Sequence, residues 1–209
     1  MDIQYFGANC VRLSTKKASV IIDDNLADLG QKSVTKNGEV VLFGGPHGNS
    51  SPKIEKKIVI DQPGEYEVAD TSVRGIAARS HIDEEGQKNA TIFKIVDDDI
   101  RVVVTGHIYP ELSDQQLEEI GMVDVLIIPV GGNGYTLDSI GALKIIRKIN
   151  PRIVIPTHFD EEGFSFPVPQ QPLAEVLKAL AMEPKETVAK LKIKPSELTD
   201  TTQLIVLEK

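Results

Sequence analysis

Cysteine, tryptophan and long apolar runs are scarce or missing in this sequence. The 209 residues include one cysteine, no tryptophan and 5% aromatic residues. Because Cys10 is alone, no intrachain disulfide can form, and a reducing, cytoplasmic location is expected. No apolar run approaches the roughly 20 residues that span a bilayer. The first residues also lack the basic and apolar regions of a signal peptide. We therefore expect a cytoplasmic protein with no membrane partner.

Basic residues are outnumbered by acidic ones. The chain has 23 Lys and Arg against 31 Asp and Glu, a formal net charge of −8. Affinity for nucleic acid comes largely from basic side chains that neutralise phosphates. This charge balance, with no run of basic residues, predicts no nucleic-acid partner. The length is ample for a buried core.

The pattern of apolar residues changes along the chain. Up to about residue 105 it predicts short strands separated by turns. From residue 111 buried strands alternate with helices, whose starts are indicated by a capping box at Ser113 and a cap at Asp138. No linker divides the chain. The sequence therefore predicts one α/β domain, residues 1–209, with two sheets faced by helices.

All four histidines follow predicted strands. They are His47, His81, His107 and His158. Strand ends gathered at one edge of a sheet are where open α/β structures place their sites, and imidazole is the commonest metal ligand in proteins. Any one of them alone is more often a surface or hydrogen-bonded loop histidine. Their shared position predicts a metal site built from ligands scattered in sequence.

Several motifs resemble one known family. They are residues 7–10, 21–24, 63–68, 117–132 and 153–159, and the stretch from 117 to 158 is the most specific. The chain resembles the metallo-β-lactamase fold, in particular its small single-domain branch of metal-dependent hydrolases related to the ascorbate-6-phosphate lactonases. The resemblance implies a four-layer αβ/βα sandwich with two mixed sheets and helices outside. It also implies that Asp23 orders the metal-binding loop.

The same resemblance exposes substitutions in the metal-binding motif. The family's His-x-His-x-Asp-His loop falls here on Gly45, His47, Asn49 and Ser50, so only His47 is retained. By the same comparison His81 matches the third histidine of the first metal site and His158 matches the final histidine. His107 stands where the family has a bridging aspartate. The implied metal ligands are therefore His47, His81, His107 and His158, with no intact two-metal site.

Three functions stay open at this point. The chain is a hydrolase with a single metal, a catalytically inactive descendant that binds a small molecule or a protein, or a metal-binding protein without catalysis. We predict a metal-dependent hydrolase fold with a degraded site, weak or no activity, and zinc at no more than one ion per chain or no metal at all. Catalytic residues, the substrate and a homo-oligomeric state are left open. The loop from Gly131 to Tyr135 is expected either to line a pocket or to be a flexible connection. Asp83 and Asp160 could supply an oxygen ligand, although a solvated loop acid is far more common and is expected here.

Overall fold

Strands dominate the computed structural model, which describes residues 1–47 and 58–209. In chain order the strands are β1 (Asp2–Gly7), β2 (Cys10–Ser14), β3 (Ser19–Ile22), β4 (Val40–Leu42), β5 (Ile58–Ile60), β6 (Gly64–Val68), β7 (Thr71–Ala78), β8 (Ala90–Asp97), β9 (Ile100–Val104), β10 (Val125–Pro129), β11 (Ile153–Thr157), β12 (Pro184–Val188), β13 (Leu191–Lys192) and β14 (Gln203–Leu207). The helices are α1 (Asp114–Ile120), α2 (Ser139–Ile149) and α3 (Leu173–Leu180), and short 3₁₀ helices cover Leu26–Leu29 and Pro195–Glu197.

The strands form two mixed sheets. Six described strands make the first sheet in the order β13-β1-β2-β3-β4-β5, and eight make the second in the order β12-β14-β11-β10-β9-β8-β7-β6. The main apolar core contains residues of both sheets together with α2 and α3. A smaller cluster (Cys10, Ile21, Leu26, Val41 and Phe43) packs the 3₁₀ helix Leu26–Leu29 against the first sheet. The predicted α/β sandwich of two mixed sheets is confirmed.

Helix boundaries agree with the predicted caps. The side chain of Ser113 accepts a hydrogen bond from the Gln116 amide, and the Gln116 side chain accepts one from the Ser113 amide, which completes the capping box of α1. The carboxylate of Asp138 accepts a 2.6 Å hydrogen bond from the Gly141 amide at the start of α2. This cap marks the residue at which the preceding loop ends and α2 begins. The helix then buries one apolar face.

Two strands near the C-terminus were missed by the sequence pattern. β12 is an edge strand with four exposed residues and one half-buried residue, and β13 has only two residues. An edge strand without a buried face shows no alternation of apolar and polar residues, so periodicity cannot detect it. The described helices are at most 11 residues long, and none of them is long and apolar enough to cross a membrane.

Candidate functional site

Three of the four histidines lie at one edge of the second sheet because of strand direction. β7 and β9 both pair antiparallel with β8, so they run in the same direction. β10 and β11 continue that direction because β9, β10 and β11 pair in parallel. The residues that follow β7, β9 and β11 therefore meet at one edge, and they include His81, His107 and His158.

The rings of these histidines surround Tyr135. The centroids of His81 and His107 are 5.8 Å apart, and those of His107 and His158 are 4.7 Å apart, edge to face. The Tyr135 ring lies 5.1 Å from His107 and 5.6 Å from each of the other two. The loop from Gly131 to Tyr135 thus lines the site, as one of the two alternatives predicted.

His47 has other contacts. Its ring stacks on Phe43 with centroids 4.1 Å apart, and its Nε2 lies 3.1 Å from a carboxylate oxygen of Asp61. No ring contact joins it to the other three histidines within the part of the chain that is described. His47 is exposed, which fits the alternative of a hydrogen-bonded surface histidine.

The turn between β1 and β2 brings the first sheet to this edge. The amide of His158 donates a 2.8 Å hydrogen bond to the carbonyl of Ala8. Both residues have left-handed backbone, with φ of 55° at His158 and 49° at Ala8, and Asp23 shares it with φ of 50°. Non-glycine residues adopt this conformation at a cost, and such strain clusters at functional sites.

Each ring of the cluster has one nitrogen within hydrogen-bond distance of a partner. Nδ1 of His81 lies 3.3 Å from the carbonyl of His107, and Nδ1 of His158 lies 3.1 Å from Oε1 of Gln170. Nε2 of His107 lies 3.1 Å from Nδ2 of Asn9. Asn9 and Gln170 are site residues that sequence reasoning missed, since neither follows a strand of the second sheet.

Several buried polar atoms of the site have no hydrogen-bond partner among the described residues. They are Nε2 of His81, Nδ1 of His107 and Oδ2 of Asp23. A buried polar atom without a partner costs free energy, and in a native structure it often marks a place where an ion, water or ligand binds. The protein thus has unsatisfied donors or acceptors on three neighbouring loops.

Burial controls the charge of these groups. It lowers the pKa of His158 to about 4, against a weaker opposite effect of the Gln170 hydrogen bond. Burial, with the neighbouring imidazoles of His158 and His81, holds the pKa of His107 well below its ordinary value, and burial also lowers the pKa of His81. The three rings are therefore neutral at pH 7, which is the form that binds metals.

Two carboxylates accept hydrogen bonds from backbone amides of the loops around the rings. Oδ1 of Asp23 accepts a 2.8 Å hydrogen bond from the Gly44 amide, so Asp23 orders the loop after β4 as the resemblance implied. Burial raises the pKa of Asp23 to about 6. Asp83 is buried and accepts hydrogen bonds from the amides of Ser80 and Asn89 and from the Asn89 side chain. The expectation of a solvated acid is wrong for Asp83, because it holds the loop that carries His81; Asp160 is exposed as expected.

The imidazole nitrogens of the cluster are of the kind that the metal implied by the resemblance prefers. Neutral imidazoles with unpaired buried nitrogens fit zinc in their chemistry. Among residues 1–47 and 58–209, however, no three His, Cys, Asp or Glu side chains form a group that could hold a metal ion. Two of the substituted motif positions, Asn49 and Ser50, lie outside the described residues. The described residues therefore offer donors of the kind that zinc prefers, but no group of three that could hold the ion.

A cavity of about 240 Å³ opens beside the rings. It is lined by both polar and apolar groups, among them Asp23, Pro46, His81, Ile82, His107 and Tyr135. Ile82 is 72% exposed at this place. Concave sites with apolar walls and a few polar groups are typical of small-molecule binding.

Two packed mixed sheets with a histidine cluster at their strand ends define the metallo-β-lactamase class of fold. A family model described as a beta-lactamase superfamily domain matches residues 2–158. This chain belongs to that superfamily.

Known proteins of the same class are similar to different extents. A metallo-β-lactamase superfamily protein from Thermotoga maritima, classed as a Zn-dependent hydrolase, has a TM-score of 0.74 at 25% identity over 99% of this chain and 97% of its own. A UPF0173 metal-dependent hydrolase from Archaeoglobus fulgidus is 30% identical over 83 residues, 40% of this chain. One from Carboxydothermus hydrogenoformans is 43% identical over 44 residues, 21% of this chain. The matched segments span only 34% and 19% of those two relatives.

Proposed function

We propose that this chain is of the metal-dependent hydrolase class, with a degraded site that binds at most one zinc ion and has weak hydrolase activity or none. The observation that supports the proposal is that His107, at the position where the resemblance implies a bridging aspartate, is a buried neutral ring beside His81 and His158. A neutral imidazole cannot supply the negative charge that holds two divalent ions close together. The similarity to metal-dependent hydrolases supports the class.

The residues that would hold the ion are among His47, His81, His107 and His158. His81 and His158 are the favoured pair, because each has its Nδ1 beside an oxygen acceptor, which is how metal-binding histidines are usually oriented. A bound zinc ion would lower the pKa of a water molecule and so supply a nucleophile near neutral pH. The chain itself supplies neutral rings, a cavity next to them, and Asp23 to order the loop after β4.

Metal content tests this proposal. Protein purified in metal-free buffer is dialysed against zinc, and bound zinc is counted by elemental analysis. We expect at most one equivalent per chain, reduced in a His158→Asn variant, together with lactamase, lactonase and phosphodiesterase rates near background. Two tightly bound equivalents, both lost in a His107→Ala variant, would overturn the proposal.

A second candidate function is binding of a small molecule without catalysis. The cavity of about 240 Å³ favours it, because its walls include Pro46, Ile82 and Ala90 beside the polar groups. A ligand that binds only the folded state raises its stability by mass action. A small-molecule screen read by melting temperature in the presence of a zinc chelator separates the two candidates, since only metal-independent binding gives shifts there.

A further inference from the structure

Asp23 is a buried carboxylate with one unpaired oxygen. It is 5% exposed, and its Oδ1 accepts a 2.8 Å hydrogen bond from the Gly44 amide. Its Oδ2 has no hydrogen-bond partner among the described residues. A Cβ on Gly44 would lie 3.6 Å from Oδ2, and one on Gly106 would lie 3.8 Å from it. Because both positions are glycine, no side chain at either of them covers this oxygen.

The negative charge of Asp23 has no bonded cation in the part of the chain that is described. His47 lowers the pKa of Asp23 through its charge, but Nε2 of His47 already lies 3.1 Å from a carboxylate oxygen of Asp61. The pKa of Asp23 is about 6, so the carboxylate is ionised at pH 8. Burying an ion without a partner of opposite charge is costly. A water molecule can donate to Oδ2, but only a cation neutralises the charge.

The cavity of about 240 Å³ beside the rings offers a place for such a cation. Its lining combines the carboxylate of Asp23 with the apolar side chains of Ile82 and Ala90. A larger cavity of about 480 Å³ shares Ile82 with it and adds the carboxylate of Asp61. Among the described residues, no lysine or arginine lines either cavity. This distribution of charge favours a ligand with a positive group over an anion.

The size of the smaller cavity limits the rest of the ligand. An apolar cavity of about 150 Å³ is large enough for benzene. The cavity beside the rings has about 240 Å³, which leaves room for a short substituent on a six-membered ring. The ring of Tyr135 lines this cavity, and the face of an aromatic ring attracts a cation. The site therefore suits a molecule of about this size that carries one positive group.

We propose that this cavity binds a small organic cation, with an ammonium or amidinium group bonded to Oδ2 of Asp23 and an apolar ring against Ile82 and Ala90. This assignment rests on the second candidate function, binding of a small molecule, and adds a selection for positive charge. It requires no metal ion in the site.

Three ligands of similar size test the selection for charge. Benzylamine is a cation at pH 8, benzyl alcohol is neutral, and benzoate is an anion. Dissociation constants are measured by chemical-shift titration of the unmodified protein at pH 8 with a zinc chelator present. We expect benzylamine to bind at least tenfold more tightly than benzyl alcohol, because hydrogen bonds between ions are stronger than neutral ones, and benzoate not to bind. The largest amide shifts are expected at Gly44 and Gly106.

An Asp23→Asn variant tests which residue provides the selection. Asparagine keeps an oxygen for the Gly44 amide and tolerates the left-handed backbone of this position, but it carries no charge. We expect benzylamine to lose at least tenfold in affinity and benzyl alcohol to bind as before.

The matched control is Asp98→Asn. Asp98 has a φ of 51° against 50° at Asp23, so the same change is made on the same backbone conformation. It is exposed in the turn before β9, whereas the cavity lies at the other end of that strand. The control should change neither affinity.

Equal affinities for benzylamine and benzyl alcohol would overturn the selection for charge and leave small-molecule binding intact. Absence of benzylamine binding at millimolar concentration would also overturn the proposal, while the melting-temperature screen decides separately whether other molecules bind. The same loss in the Asp23→Asn and Asp98→Asn variants would show that the cation binds elsewhere. The three ligands decide the matter in the unmodified protein even where the Asp23→Asn variant does not fold. Zinc is counted in samples without these ligands, so the metal function is tested independently.

Discussion

His158 combines a left-handed backbone with a strongly lowered pKa. It is 2% exposed, its backbone is left-handed, and burial lowers its pKa to about 4. In the unfolded chain a histidine titrates near 6.5. Between about pH 6.5 and pH 4, therefore, His158 binds a proton in the unfolded state but not in the folded state.

This difference makes stability fall with acidification. At pH 7 both states are neutral at His158, and the free energy of unfolding carries no penalty from it. As the pH falls to 4, the loss from this residue reaches about 3 kcal/mol, because each unit of pKa difference corresponds to about 1.4 kcal/mol. A His158→Asn variant, which tolerates the left-handed backbone, should lose about 3 kcal/mol less between pH 7 and pH 4 in urea unfolding.

Asp23 has the opposite effect on how stability changes with pH, and it is present in both the original protein and the His158→Asn variant. Its pKa of about 6 lies above that of an unfolded aspartate, so it adds stability as the pH falls through this range. The comparison of the two proteins therefore cancels the contribution of Asp23. If the free energy of unfolding had the same pH dependence in both proteins, His158 would bind a proton in the folded state as readily as in the unfolded state.

The part of the site that the sequence could not predict consists of residues that do not directly follow a strand of the second sheet. The cluster of His81, His107 and His158 followed from their positions after strands. Asn9 contacts His107 from 98 residues away, and Gln170 lies in a proline-rich stretch with no regular pattern. Only the folded chain shows that these amides face imidazole rings.

Among the elements, β10 and the loop after it leave no room for a larger residue. A Cβ on Gly131 would lie 2.0 Å from the carbonyl oxygen of His158 and 2.2 Å from Oε1 of Gln170. Backbone atoms cannot move aside as a flexible side chain can. We expect Gly131→Ala to lower the free energy of unfolding by about 1–3 kcal/mol, the usual cost of overpacking, and to disturb the hydrogen bond between Gln170 and His158.

Gly45→Ala is the matched control. A Cβ there would meet nothing within 4 Å among the described residues, although Gly45 lines the cavity beside the rings. Its free energy of unfolding in urea should stay within about 0.5 kcal/mol of the original protein. Similar losses of free energy of unfolding in both variants would contradict the crowding at Gly131 as the cause.

Element boundaries were predictable where capping chemistry is local. Ser113 and Asp138 both cap helices as their sequence patterns indicate. β12 was not predictable, because its residues are held by pairing with β14 rather than by burial of one face. Local chemistry is thus visible in sequence, whereas an edge strand depends on a partner that the sequence does not point to.

At the scale of the molecule, the two sheets are joined by a link from β1 to the loop after β11. The hydroxyl of Tyr5 donates a 2.6 Å hydrogen bond to Oε2 of Glu161, which also accepts from the Ala8 amide at 3.0 Å. Burial raises the pKa of both Tyr5 and Glu161. Hydrogen bonds that involve a carboxylate contribute more than neutral ones.

Removing the hydroxyl of Tyr5 should weaken this link. We expect Tyr5→Phe to lower the free energy of unfolding by about 2 kcal/mol, since hydrogen bonds to charged groups contribute about 1.5–3 kcal/mol. In the control Tyr66→Phe, the lost hydroxyl bonds the exposed Gln62 carbonyl at 3.0 Å, and the change should be under about 0.5 kcal/mol. Guanidinium unfolding of both variants gives the comparison, and equal effects would contradict a special role of Tyr5.

The contacts of the β1–β2 turn have a consequence for how the chain is made. Asn9 bonds Thr157 across 148 residues, and Tyr5 bonds Glu161 across 156. A ribosome that adds about 5–20 residues per second needs on the order of 10 s to cover that distance. Throughout that time the first strands can pair with each other, but Tyr5 and Asn9 lack the partners that their side chains bond in the folded protein. The candidate site is therefore completed only after strands β1 to β11 have been synthesised.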